Sequence, residues 1–149
     1  MLFRLPPEVL VLLIPVLLFA LVFHEFSHAW VANKLGDPTS RYAGRLTLNP
    51  MAHLDPIGGL MILFVGFGWA KPVPVDIRYL RNPRVDMMKI AFAGPASNLL
   101  LAFIGGTILR SGFVHGTMAM MIMLFTQINI MLAVFNICLL YTSPSPRDS

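Results

Sequence analysis

Residues 9–23 form an apolar run of fifteen residues without a charge, and this run strongly limits what the chain can fold into. It continues into further mostly apolar residues, so one helix over about residues 7–33 could cross a bilayer core of about 30 Å at about 1.5 Å per residue. Pro6 suits the start of such a helix, and Gly36 suits its end. A secretory signal peptide is the competing interpretation, but no small-residue cleavage site follows the run.

Two further apolar stretches predict two more spans, over about residues 85–109 and about residues 117–140. The first of them interleaves small residues with large apolar ones, which lets helices approach closely inside a bilayer. The second carries Gln127, Asn129 and Asn136, and we expect it to turn these amides toward protein because unpaired amides are costly in lipid. The chain is 56% hydrophobic and only 12% charged, against about a quarter charged in a typical soluble domain, which excludes an ordinary soluble fold.

The connection between the first two spans, residues 34–89, holds eight of the eleven lysines and arginines. Basic residues between apolar runs indicate a lipid bilayer rather than nucleic acid as the partner, and the positive-inside rule puts this connection in the cytoplasm. Residues 57–70 are apolar but too short and too rich in glycine for a crossing, and strand-like character is expected at residues 45–48 and 73–77. We therefore predict an all-α membrane protein with three transmembrane helices and a re-entrant or membrane-dipping hairpin between the first two.

His24, Glu25 and His28 fit the pattern H-E-x-x-H inside the first predicted helix. Helical spacing puts the two histidines on one face, where both imidazoles can reach one metal ion. Imidazole is a good ligand for Zn²⁺, which lowers the pKa of a bound water to about 7, and Glu25 is placed to accept the proton of that water. Two structural histidines packed against polar neighbours are the alternative. Three ionisable side chains within a membrane span are costly unless they bind or react with something, which favours the metal site.

Two histidines and a water leave a catalytic zinc site one protein ligand short, because such sites usually take three. Spacing does not choose the third ligand among the candidates His53, His115, Asp55, Asp76, Asp86 and Asp148. The single cysteine, Cys138, excludes an internal disulfide and a zinc cage built from cysteines. The residues after His28 do not supply the glycine and histidine of a soluble metzincin.

Three segments follow one another along the chain: His24-Glu25-Phe26-Ser27-His28, Asn49-Pro50-Met51-Ala52-His53-Leu54-Asp55-Pro56-Ile57-Gly58 and Gly94-Pro95-Ala96-Ser97-Asn98. In this order they resemble the site-2 protease family of intramembrane zinc metalloproteases, over about residues 9–137. The resemblance implies a core of three transmembrane helices in the cell membrane, a Zn²⁺ cofactor and an active site near the cytoplasmic face. It also implies hydrolysis of peptide bonds in transmembrane protein or peptide substrates by zinc-activated water.

The resemblance also implies roles for single residues. His24 and His28 match the zinc ligands of the family, and Glu25 matches its general base. Asn98 matches an asparagine near the active site whose amide could donate to the developing oxyanion, although a polar contact between helices would explain it equally well. His53 matches the histidine of the Asn-Pro-x-x-His segment, which could contact the reacting carbonyl or brace the loop.

The chain departs from the family after Ile137. The family continues from Phe-Asn into a proline-rich segment with Leu-Asp-Gly, whose aspartate is the third zinc ligand, and no Leu-Asp-Gly is present here. Residues 141–149 resemble translated vector sequence and are expected to be disordered, so residues 1–140 form the predicted membrane core. We expect the natural protein to continue past Ile137 with the missing ligand.

Two functions of other classes stay open at this stage. One is a membrane metal-binding or transport protein in which His24, Glu25 and His28 line an ion path. The other is a non-catalytic member of the family that binds transmembrane partners without a complete metal site. The sequence does not indicate the oligomeric state.

Overall fold

A computed structural model of the protein describes residues 6–65 and 73–142. These residues form six α-helices, α1 (Pro7–Lys34), α2 (Thr39–Tyr42), α3 (Pro50–His53), α4 (Pro56–Val65), α5 (Pro83–Ser111) and α6 (Gly116–Thr142), and a short 3₁₀ helix (Ile77–Tyr79). Residues 141 and 142 still belong to α6, and the rest of the predicted tail lies outside the described residues.

The three predicted spans are confirmed as α1, α5 and α6, each of which is long and apolar enough to cross a membrane. Their ends lie within about two residues of the predicted ones, because proline and glycine residues mark where the helices begin and end. Pro7 and Pro83 occupy first-turn positions in α1 and α5, where a missing N–H costs nothing. Gly112 ends α5 in the left-handed conformation with a φ of 78°, which favours glycine.

The three long helices pack against one another, with α5 in contact with both α1 and α6. Small residues allow this packing: a Cβ on Gly105 of α5 would collide with the Thr126 hydroxyl of α6. On α6, Asn129 is fully buried and Asn136 half-buried, as expected for amides turned toward protein. The same expectation was wrong for Gln127, which is exposed on the helix surface because its side chain lies on a different face of α6 from Asn129.

The connection between α1 and α5 contains no strand among its described residues. The strand character predicted at residues 45–48 and 73–77 was therefore wrong: the first segment contains a bend, and residues 73–76 have no regular structure before the 3₁₀ helix begins. The predicted hairpin begins instead as α4, and the structure does not confirm a re-entrant hairpin. Residues 66–70, the rest of that prediction, lie outside the described residues.

Buried contacts hold this connection against the helices. The Asp37 carboxylate is fully buried, and it accepts hydrogen bonds from the Thr39 amide at 3.0 Å and the Asp76 amide at 2.7 Å. Val75 packs against a cluster that includes Ala32 of α1 and Ile90 of α5. The segment before the 3₁₀ helix is thus fixed beside the C-terminal end of α1.

Candidate metal centre

His24 and His28 lie one turn apart on α1, and their Nε2 atoms are 3.1 Å from each other. Glu25 joins them: one ligand atom from each of the three side chains lies within 4.8 Å of the others. His24 is 5% exposed, whereas Glu25 and His28 are half-buried. The helical spacing therefore does bring together the three side chains that the sequence singles out.

The other nitrogen of each ring faces a carbonyl oxygen. The Nδ1 atom of His24 lies 2.6 Å from the Oδ1 atom of Asn98, and that of His28 lies 2.6 Å from the backbone oxygen of Ile90. Oxygens of this kind only accept hydrogen bonds, so each imidazole carries its proton on Nδ1. Both partners belong to α5, which thereby sets the tautomer and the orientation of both rings, as outer partners do in metal sites.

This tautomer leaves an unusual pair of nitrogens. In the neutral rings both Nε2 atoms present lone pairs, and two lone pairs 3.1 Å apart repel each other unless a cation lies between them. Two nitrogens that bind one tetrahedral zinc ion at about 2.0 to 2.1 Å would lie about 3.3 Å from each other. The donor set and its spacing therefore fit a zinc ion at this position.

Gly94 of α5 lets the helix backbone approach both imidazoles closely. A Cβ on Gly94 would lie 2.5 Å from the Nε2 atom of His28 and would also collide with the Nε2 atom of His24. Any side chain at this position would therefore displace the two rings. Sequence analysis noted Gly94 as part of a motif but gave it no role, because its closeness to α1 depends on how the two helices pack.

Asn98 lies behind the two histidines. Its side chain is fully buried, and its Nδ2 atom donates to the Asn129 Oδ1 atom at 2.8 Å and to the backbone oxygen of Ala20 at 3.3 Å. Because its oxygen accepts from His24, both polar atoms of the amide are used within the protein. Asn98 thus connects all three long helices at the level of the metal centre.

Two cavities open onto the histidines. One, of about 390 Å³, is lined by Glu25, Val73 and Val75, and the other, of about 180 Å³, is lined by Leu139 and Leu140 near the end of α6. His24, His28 and Asn136 line both. Asn136 was noted as an amide facing protein, but its place beside the metal centre was missed, because only the packing of α6 reveals it.

His53 lies apart from both cavities and is 1% exposed. Its Nε2 atom donates to the backbone oxygen of Thr47 at 2.7 Å, and its Nδ1 atom accepts from the Arg45 Nε atom at 3.4 Å. Burial lowers the pKa of His53, and the neighbouring Arg45 charge acts in the same direction. Both ring nitrogens are thus used to hold the loop before α4.

The third-ligand candidates do not join the metal centre. Among the described residues, the group around the two imidazoles contains only Glu25 as a further side chain of suitable type, and this leaves out His53, His115, Asp55, Asp76 and Asp86. Asp55 instead accepts from the amides at the start of α4, and Asp76 forms an ion pair with Arg78 at 2.7 Å. Asp148 lies outside the described residues.

The fold and the site together define a class: a membrane protein of three long helices with a metallopeptidase-type His-Glu-His group. The model of peptidase family M50, the family of the site-2 proteases, matches residues 12–115. The chain belongs to this family. No solved structure matches the chain significantly.

Two relatives are named provisionally as zinc metalloproteases. The chain is 40% identical to YwhC of Bacillus subtilis in an alignment of 141 residues that covers 89% of the chain and 64% of YwhC. It is 35% identical to Rip2 of Mycolicibacterium smegmatis in an alignment of 99 residues that covers 63% of the chain and 38% of Rip2. The chain thus spans less than two thirds of the length of these relatives.

Proposed function

We propose that this chain is the membrane core of an intramembrane zinc metalloendopeptidase. The observation that carries the proposal is the pair of Nε2 atoms of His24 and His28, directed at one point with Glu25 beside them. The M50 membership and the provisional names of the relatives agree with it. A metal-transport function would also use this group, and the experiment below separates it from proteolysis.

His24 and His28 would hold the zinc ion, with a further ligand outside the group described here. The ion would supply a Lewis acid that makes a water molecule acidic enough to ionise near neutral pH. The Glu25 carboxylate accepts the proton of the attacking water at one of its oxygens and delivers it to the leaving amine. Asn136, which lines both cavities, is placed to donate its amide to the substrate, since only one of its two amide hydrogens is needed for the Leu132 carbonyl.

Asn98 acts on His24 rather than on the substrate in this proposal. Its amide is fully buried and committed to His24, Asn129 and Ala20, so it fixes the imidazole that binds zinc. His53 braces the loop before α4, which is one of the two roles that the family resemblance left open.

We propose transmembrane protein or peptide segments as substrates. A helical carbonyl is already hydrogen-bonded and shielded, so the substrate must unwind locally before hydrolysis. The larger cavity has both polar and apolar walls, and the segment with Val73 and Val75 lies along one side of it. This segment is unpaired, and an extended substrate could pair with it as an added strand. The excess of basic residues between α1 and α5 places the site near the cytoplasmic face of the cell membrane in this proposal.

The test compares the two glutamates of the chain, Glu25 and Glu8. We expect the purified protein in proteoliposomes to bind zinc, and a membrane-embedded peptide to be cleaved in a Glu25-dependent way. Glu25→Gln should keep zinc and lower cleavage by more than about 100-fold, as expected for a lost general base. Glu8→Gln, at the exposed start of α1, is the matched control and should change neither.

The outcomes separate the three functions. Zinc binding with cleavage that depends on Glu25 supports the protease. Zinc binding without cleavage by the unchanged chain favours the non-catalytic family member. Zinc flux across the vesicle that Glu25→Gln blocks, with no cleavage, favours transport. Failure of the unchanged chain to bind zinc contradicts the proposal.

A further inference from the structure

Asp37 is a fully buried residue just after the C-terminal end of α1. One of its carboxylate oxygens accepts from the amide of Thr39 at 3.0 Å and from the hydroxyl of the same residue, and the other accepts from the amide of Asp76 at 2.7 Å. Burying a carboxylate is costly unless such bonds compensate it. The bond to Asp76 joins residues that are 39 positions apart, so Asp37 connects two separate parts of the chain between α1 and α5.

The backbone of Asp37 is itself fixed to α1. Gly36 has a φ of 107°, a left-handed conformation that favours glycine and lets the chain turn at the end of the helix. Its amide donates to the Asn33 carbonyl at 3.2 Å, and the Asp37 amide donates to the Ala32 carbonyl at 3.0 Å. These two hydrogen bonds form a Schellman motif, a common helix end. The Asp37 carboxylate therefore starts from a fixed point on α1.

The partner of this carboxylate lies beside the candidate metal centre. Val75 immediately precedes Asp76 in the chain. Together with Val73 it forms what we call the valine wall of the larger cavity, which Glu25 also lines. The Asp76 amide that Asp37 holds is thus one residue away from a side chain that faces the proposed reaction site.

Two kinds of contact hold the valine wall. Val75 packs against the cluster that includes Ala32 of α1 and Ile90 of α5. Apolar packing has no preferred direction, so alone it would let the wall shift along the cluster. A hydrogen bond is directional, and the bond from the Asp76 amide to a buried, fixed oxygen holds the backbone at one point. Asp37 therefore sets the position of Val75 in the cavity.

We propose that Asp37 is a positioning residue for the substrate: its buried carboxylate holds the Asp76 amide and thereby fixes the valine wall beside Glu25. The inference rests on the proposed function, in which this cavity receives an unwound segment of a transmembrane substrate. Asp37 touches neither the substrate nor the ion and acts only through the wall. Loss of its contact should weaken substrate binding and leave zinc binding intact, because α5 holds both imidazoles independently.

Asp37→Asn tests this contact with little change in size. The new amide has one acceptor oxygen in place of two, so it can no longer accept from both partners of the carboxylate. Thr39 offers two donors and Asp76 offers one, so the oxygen should stay with Thr39. Thr39→Val is the matched control, because it removes a donor to the same carboxylate and leaves the bond from Asp76 in place.

The first measurement follows the Asp76 amide itself. Protein labelled with ¹⁵N-aspartate gives signals from the five aspartates, and Asp76→Asn assigns the signal of Asp76. We expect hydrogen exchange at this amide to become at least about 10-fold faster in Asp37→Asn and to change by less than about 2-fold in Thr39→Val.

The second measurement is peptide binding in proteoliposomes, made in the Glu25→Gln background so that no cleavage intervenes. The probe is a dansylated transmembrane peptide of leucine and alanine with a Gly-Pro pair at its centre, which allows local unwinding. Asp37→Asn should raise the Kd of this peptide by about 10-fold with zinc affinity unchanged. Thr39→Val should change neither quantity.

Unchanged exchange at the Asp76 amide, an unchanged peptide Kd in Asp37→Asn, or an equal rise in Thr39→Val overturns the proposal. Absence of peptide binding in the Glu25→Gln background overturns it too, and so does a parallel loss of zinc affinity, which would indicate a structural role only. If Asp37→Asn does not fold, Asp37→Glu, which keeps both acceptors on a longer side chain, is judged by the same two measurements. Peptide binding that depends on Asp37, in a chain without Glu25-dependent cleavage, would contradict the proposed function alone.

Discussion

Buried histidines have different roles in two regions of this molecule. On α1, His24 and His28 each use one ring nitrogen to contact α5 and leave the other free to face a common point. In the connection, His53 is buried even more completely, but both of its nitrogens are used by the loop. Burial alone therefore does not mark a ligand. The two regions differ in whether a second protein group forms a hydrogen bond with the other ring nitrogen.

The largest expected effect tests this distinction directly. His28→Ala should lower zinc affinity by more than about 100-fold, since the loss of a ligand exceeds the 10- to 100-fold typical of a lost outer partner. His53→Ala should leave zinc affinity unchanged and lower the thermal stability instead. Isothermal titration of both variants with zinc in detergent measures the contrast. Comparable losses of affinity in the two variants would remove the difference between the regions.

The second effect concerns the close approach of α5 to the imidazoles. Gly94→Ala should lower zinc affinity by about 100-fold, because the new Cβ would collide with both Nε2 atoms and displace the rings from their common point. Gly106→Ala is the matched control on the same helix, since a Cβ there meets nothing within 4 Å. That control should keep zinc and gain up to about 1 kcal/mol in stability from helix propensity. Normal zinc affinity in Gly94→Ala would argue against a zinc site that needs both imidazoles in this arrangement.

A smaller effect is expected from the partner behind His24. Asn98→Leu removes the acceptor that holds the His24 proton on Nδ1, and we expect zinc affinity to fall between about 10-fold and 100-fold. Asn129 contacts Asn98 rather than His24, so Asn129→Leu should lower zinc affinity by less than about 10-fold. Zinc titration measures the affinity of both variants. A larger loss of affinity in Asn129→Leu than in Asn98→Leu would contradict the proposal that Asn98 supports His24 directly.

The smallest effect is a pH dependence of stability from the loop. Because burial lowers the pKa of His53 below its ordinary 6.5, the unfolded chain takes up this proton first as the pH falls. The contribution of His53 to stability is complete above pH 6.5 and is lost as the pH falls from there through the folded-state pKa. His53→Gln should flatten that part of the curve of melting temperature against pH. An unchanged curve would show that His53 does not titrate differently in the two states.

The same two regions differ in how well sequence predicts them. Helical spacing fixes His24, Glu25 and His28 relative to one another, and apolar length and end signals fix α1, α5 and α6, so these features follow from local physics. Arg45 was given no role of its own, and strand-like character was predicted at residues 45–48, because its burial depends on hydrogen bonds between distant segments.

The position of Gly94 and of Asn136 is likewise a result of helix packing. Each lies on a helix whose existence the sequence predicts well, but which face meets α1 depends on the crossing of the helices. The predicted small residues of α5 do indicate close approach, and the collision of a Gly105 Cβ with Thr126 bears this out. Sequence does not say which of those small residues would lie against the two imidazoles.

The central claim is that one divalent ion is bound by the Nε2 atoms of His24 and His28. X-ray absorption at the zinc edge of the zinc-loaded chain measures this without any assumption about activity. We predict a first shell that contains two imidazole nitrogens at about 2.0 to 2.1 Å, and loss of that pattern when both histidines are changed to alanine. A shell with fewer than two imidazoles, or one that survives the double change, would contradict the account.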